Sequence, residues 1–138
     1  GYTDSWNTLE NTISISEGGE SCGFVRYNYE KFWSGGHCYT LDELSNKVNV
    51  LFLYQILKNK EKKIMRLRVG SGLPNIQIKS LSKFSIESPP LSEQKAIANV
   101  LSASDKESEL IKEEIEMLKE QKKGLMQLLL TGIVRVGV

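Results

Sequence analysis

The segment SPPLSEQKAIANVL, Ser88 to Leu101, constrains the fold more than any other stretch of the chain. Pro89 and Pro90 have no backbone donor for a ladder and close whatever precedes them. Ser92 is a good N-cap residue, and Glu93 sits where a carboxylate complements a helix dipole. Ile97, Val100 and Leu101 then continue at helical spacing. The chain is therefore predicted to be α+β: a small mixed α/β unit over 1–90, followed by a long C-terminal coiled-coil helix within 91–138.

Ser104-Asp105-Lys106-Glu107 has the spacing of a capping box, Ser with Glu three residues on. It predicts a restart: a short helix from Ser92 to about Ser102, then a long one from about Asp105 to Leu130. Within the long helix, Ile111, Ile115, Leu118, Lys122, Leu125 and Leu129 follow the alternating four- and three-residue steps of a coiled-coil seam. Lys122 is the polar member of that seam, and Gly132 ends the pattern. The plainer reading packs this helix on its own domain. The narrow apolar stripe and charged outer face favour a partner helix.

In the front part, Thr12 to Ser16 (TISIS), Phe24 to Tyr27 (FVRY) and His37 to Leu41 (HCYTL) read as short strands between glycine turns. From Asp42 to about Leu57 the period changes. Leu44, Val48, Leu51, Phe52, Gln55 and Ile56 predict an amphipathic helix. Gly70 to Gly72 breaks the chain. NIQIKSLSKFSIESPP then returns to alternation, predicting short strands around a turn at Lys79 to Ser82.

The overall charge of +1 hides an asymmetry. Phe24 to Lys83 carries eleven Lys and Arg against four acids, a net +7, whereas the first 23 residues carry −4. From Lys106 onward six bases balance six acids. A locally basic domain is the footprint of a phosphate-binding surface. For Lys58 to Lys63 alone, a solvated helix face is the plainer reading. The richest candidate surface is RYNYEKFWSGGHCY, Arg26 to Tyr39. Arg26, Tyr27, Tyr29, Lys31, Ser34, Gly35, Gly36 and His37 are its candidate contacts. Basic groups neutralise phosphates, short polar side chains reach base edges, and glycines let a backbone approach a groove. About half of the aromatics here are expected in the core, since aromatics dominate burial.

Other chemistries fit poorly. EGGESCG lacks the Gly-Lys-Ser/Thr ending of a phosphate loop, and GSGLPN lacks the strand-to-helix context of a dinucleotide fingerprint. Neither Ser21 nor Cys22 has a base nearby in sequence, and the chain has one histidine, so no catalytic residue is assigned. His37 and Cys38 are too few for a four-ligand zinc site, and no metal is expected. With no secretory signal visible, the two cysteines are expected as thiols in the cytoplasm. No apolar run approaches the roughly 18 residues that span a bilayer, so no membrane association is expected.

SGLPNIQIKSLSKFSIESPPLSEQKAIANVLSASDKE, the helix ending EQKKGLMQLLLTG, and GGESCGFVRYNYEKFWSGGHCYTL together resemble the specificity (S) subunits of type I restriction–modification systems. The resemblance covers nearly the whole chain. It implies that 1–90 is the C-terminal part of a DNA target recognition domain. It implies that 91–138 is the conserved helical spacer, serving dimerisation and methyltransferase docking. The implied partners are double-stranded DNA, of which one half of a bipartite target is read, and methyltransferase (M) subunits. The restriction (R) subunit joins indirectly. No cofactor is implied on this chain; S-adenosylmethionine and ATP belong to the partner subunits. A whole S subunit has two repeats and this chain has less than one. The resemblance therefore implies a second helix, from another S half or a second copy. The competing expectation is a truncated S-like protein that acts only through helix-mediated association, without reading DNA.

Overall fold

Three antiparallel strands, β1 (Thr12–Ser16), β2 (Val25–Asn28) and β3 (Cys38–Leu41), form a sheet in the order β2-β1-β3. The computed structural model describes residues 4 to 137. Gly1 to Thr3 and Val138, the outermost residues of the two predicted parts, lie outside the described residues. The strands fall where alternation predicted them, within a residue at the ends. Register sets Ile13 between Tyr27 and Leu41, and Ile15 between Val25 and Tyr39. Side chains alternate across a pleated strand, so these residues share one face. That face is the core, joined by Cys22, Leu53, Leu57, Ile64 and Ile76. Burying each such Ile or Leu contributes about 1.5–3 kcal/mol. The opposite face is polar, with Thr12, Ser14, Arg26, Asn28 and Thr40.

Helix α1 (Val50–Asn59) begins eight residues after the predicted start at Asp42. Asn49 is its N-cap, accepting from the Phe52 backbone N–H at 2.9 Å. Upstream, Glu43 has φ of 52°, which no right-handed helix accommodates. Val48 N–H bonds Ser45 O in a turn. Leu44 and Val48 fell on the helical period but belong to this loop; only Val48 packs against the core. A second short helix, α2 (Glu61–Met65), buries Ile64 completely. Gly23, at φ of 88°, lies against it: a Cβ there would sit 2.8 Å from Met65 Cα. Only glycine allows the turn before β2 to approach α2 so closely.

The strands predicted after Pro74 are not formed. Asn75 makes isolated bridges to Gly18 and Val69, and Ile76 N–H bonds Glu17 O at 2.8 Å. One helical turn follows, α3 (Ile78–Leu81), and it leaves Ile78 exposed. Phe84 and Ile86 do both pack against the core. The alternation is that of an extended segment laid over the core, with no partner strand.

Helix α4 (Leu91–Leu130) is one helix of 40 residues. The predicted restart at Ser104 is absent. A capping box works only where the cap residue leaves helical dihedrals. No Gly or Pro lies between Ser92 and Lys123 to force that exit. The helix ends as predicted, with Gly132 at φ of 74°.

Two compact units result, residues 1–99 and 100–138. Gln94 organises its end of the first. It is only 1% exposed, and its Oε1 accepts from Asn49 N–H at 2.9 Å. Its amide nitrogen donates toward Lys47 O, Ser88 Oγ and Pro89 O at 3.1, 3.0 and 2.8 Å. One side chain thus joins the loop before α1, the segment before the helix, and the helix itself. Ala98, one turn on, is buried to the same degree. In the second unit, the large apolar side chains from Val100 to Val136 are exposed.

Candidate nucleic-acid interface

Strand β2 supplies the first candidate contact by alternation. Val25 and Tyr27 point into the core, and Arg26 points out on the polar face opposite Ser14. Beside it, Asn28 Nδ2 donates to Thr12 O at 2.9 Å and Ser14 Oγ at 3.0 Å. Tyr27 corrects the expected contact set. It is 8% exposed, and its hydroxyl donates to Asn11 Oδ1 at 3.1 Å. Its ring packs between Tyr29 and Tyr54, at 4.7 and 5.5 Å between centroids. Tyr27 therefore supports Tyr29, which is 71% exposed, and is not itself presented to a ligand.

The loop after β2 is held from the N-terminal segment. Thr8 and Phe32 exchange backbone hydrogen bonds at 3.1 Å in both directions. Asn7 clamps Ser34: its Nδ2 donates to Ser34 O at 3.0 Å, and its Oδ1 accepts from Ser34 N–H at 2.6 Å. Lys31 Nζ lies 4.4 Å from the Trp6 ring centroid. Such a contact is worth about 0.5–1 kcal/mol at an exposed site. That is small beside a charge-assisted bond to phosphate, so Lys31 is steadied but not committed. Gly35 and Gly36 have open space around them. Trp33 is exposed and Phe32 half-buried.

The expected contacts are not gathered in one place: Ser34, Gly35 and Gly36 line neither of the two depressions that take the others. Arg26, Tyr29 and Lys31 line a cleft of about 290 Å³ that Tyr27 backs. His37 lines another, about 470 Å³, with Glu17, Gly18, Leu73, Pro74 and Asn75. The His37 side chain is 93% exposed, and its Nδ1 is 3.8 Å from Glu17 Oε2. Tyr39 underlies this second depression. Its hydroxyl contacts Ile76 O at 2.9 Å and Glu17 Oε1 at 3.2 Å. Burial, then the Glu17 carboxylate, pushes its pKa up. Burial also raises the Cys22 pKa, partly opposed by Arg68, which keeps the thiol protonated near neutrality and a poor nucleophile. Among the described residues no three His, Cys, Asp or Glu side chains gather as a metal-ion set.

Sequence reasoning missed Trp6, Asn7 and Thr8. They lie more than twenty residues from the loop they hold, and no local pattern marks them. It also passed over the role of Gln94. There a signal exists, a polar residue on the face that Ala98 and Leu101 continue at helical steps.

On α4, Ile111, Ile115, Leu118, Leu125 and Leu129 are 42–56% exposed, and Lys122 is exposed with them. Because the helix is unbroken, the same four-three spacing extends back through Ser108 and Ser104 to Leu101 and Ile97. No helix among the described residues is long and apolar enough to cross a membrane.

Residues 1–120 match the family model for the type I restriction modification DNA specificity domain. A protein assigned as a type I specificity subunit in Mycoplasma genitalium is 38% identical over 119 residues, covering 85% of this chain and 31% of that protein. The MjaVIII type I restriction enzyme specificity subunit of Methanocaldococcus jannaschii is 39% identical over 90 residues, 64% of this chain and 21% of its own length. The crystal structure of a type I restriction–modification S subunit from M. genitalium superposes with a TM-score of 0.78 at 34% identity. That match covers 93% of this chain and 34% of the other. The chain thus spans about a third or less of the relatives it matches.

Proposed function

The chain belongs to the type I restriction modification DNA specificity family, and on that premise we propose that it is a DNA-reading portion of a type I specificity subunit. Residues 1–90 read one half of a bipartite duplex target. Residues 91–138 form the spacer helix that pairs with a second long helix and docks methyltransferase subunits; restriction subunits join through those. We assign the chain no catalytic residue, no metal and no cofactor of its own. Methylation with S-adenosylmethionine and ATP-driven cleavage belong to the partners, and the complex works in the cytoplasm.

The observation that carries this reading is the exposed Arg26–Tyr29–Lys31 cleft beside an open Gly35-Gly36 tip, in a net-basic segment. Arg26 and Lys31 suit phosphate or a guanine edge; Ser34 and His37 suit shorter-range base contacts. The test is duplex binding by the full chain, with and without methyltransferase subunits, across a salt series. Affinity should fall steeply with salt, because each neutralised phosphate releases counterions. Arg26→Ala or Lys31→Ala should cost about 1–3 kcal/mol if the side chain makes a bidentate base contact, and less if it touches only phosphate. Salt-independent affinity, or unchanged affinity and target preference in both variants, would overturn the assignment.

A further inference from the structure

Between Glu43 and Glu87 the chain has one acid, Glu61, among nine Lys and Arg. The structure turns that acid inward. Glu61 Oε2 accepts from the Val25 backbone N–H at 2.8 Å and from Lys58 Nζ at 2.6 Å. Lys58 Nζ in turn donates to Val25 O at 3.0 Å and lies 4.1 Å from the Phe24 ring centroid. The outer edge of β2 is thereby closed by a Lys–Glu pair from the α1–α2 corner. Two consequences follow. Lys58 and Glu61 neutralise each other at the strand, and α2 is fastened beside the residue that precedes Arg26.

The remaining cations of α2 are left uncompensated. Lys62, Lys63 and Arg66 are exposed. Lys62 and Lys63 lie four and three residues before Arg66, the C-cap of α2, so the three stand on the side away from the fully buried Ile64. No carboxylate pairs with any of them among the described residues. A helix of five residues has little dipole to balance three positive charges. Exposed like charges held together on a rigid element suit a ligand with regularly spaced negative charge.

We propose that Lys62, Lys63 and Arg66 form a second phosphate-contacting site, fastened to the Arg26 strand by the Lys58–Glu61 latch, and that it grips the duplex backbone without reading sequence. The inference rests on the proposed DNA binding and adds a distinct site to it. It also replaces the solvated-face reading of this lysine run.

The test uses the full chain and a fluorescein-labelled mixed-sequence duplex, with anisotropy read from about 50 to 200 mM salt. The triple variant Lys62→Ala, Lys63→Ala, Arg66→Ala should lower the slope of log affinity against log salt by about two to three, since each phosphate contact contributes about 0.9. Its loss should be uniform across duplex sequences, unlike that of Arg26→Ala, and its thermal midpoint should match wild type because the three side chains are exposed. Glu61→Ala should leave the slope no lower, since it frees Lys58 on α1 as a further cation, but it should lower the thermal midpoint by stranding the Val25 N–H. A triple variant with wild-type slope, where wild type itself binds duplex steeply, removes this site and leaves the proposed function standing. A wild-type chain that binds no duplex at low salt removes both.

Discussion

Gln94 shows how much one residue can carry. Its amide meets three acceptors and its carbonyl one donor, in contacts that are partly buried around a fully buried side chain. Gln94→Leu keeps most of the volume but strands the Asn49 N–H and the carbonyls of Lys47 and Pro89. Each buried unpaired group costs about 1–3 kcal/mol, so a loss on the order of 3 kcal/mol is expected in urea unfolding. A loss under about 0.5 kcal/mol, the size of an ordinary surface change, would mean the amide is replaceable by water. Tyr39 makes a prediction in pH. Its pKa is raised above 10.0 by burial and by Glu17. The fold therefore gains from the protonated phenol: that stability is complete below pH 10 and lost as pH rises through the folded value. Tyr39→Phe cannot ionise, so its thermal midpoint should fall less steeply above about pH 10. Equal alkaline slopes would remove Tyr39 as the cause. Tyr27, raised in the same direction, keeps the variant's slope from vanishing. Tyr39 could not be assigned its role from the chain, because Glu17 and Ile76 lie more than twenty residues away; for Gln94 only its place on the helix face was legible, not its bonds to Asn49 and Lys47.

Among the elements, the three strands and the long helix were legible from period, whereas the alternation after Pro74 named strands that do not form and element boundaries were less legible. The three strands followed from alternation because each has one apolar and one polar face. The late start of α1 was hidden because Leu44 and Val48 kept helical spacing while Glu43 had already left helical dihedrals. The capping box at Ser104 misled in the opposite direction, naming an end where the helix continues. This is testable with Ser104→Ala. A true N-cap loses about 1 kcal/mol on that change. A mid-helix serine gains a few tenths, since alanine is the better helix former. Circular dichroism melts of the full chain should show an unchanged or slightly higher midpoint, and a clear drop would restore the break.

Over the whole molecule, two kinds of surface are set apart. The first unit has a buried core and an exposed basic run; the second has exposed leucines and isoleucines and no net charge from Lys106 onward. That division was legible, because charge and period change together near the double proline. The way the loop from Tyr29 to His37 is held was not. If the α4 seam docks a second helix, Ile115→Asp with Leu118→Asp should abolish association, since each carboxylate would be buried at several kcal/mol. Light scattering and co-purification with methyltransferase subunits should fail together, while the first unit keeps its melting transition. An assembly of wild-type mass would show that the seam is not the contact. The loop from Tyr29 to His37 has a consequence of another kind. Asn7 and Thr8 grip it through the backbone atoms of Phe32 and Ser34, so the exposed side chains of Glu30 and Trp33 have no part in holding it. Substitutions at those two positions leave the scaffold almost untouched. Over generations such a loop is free to diversify faster than the fold beneath it.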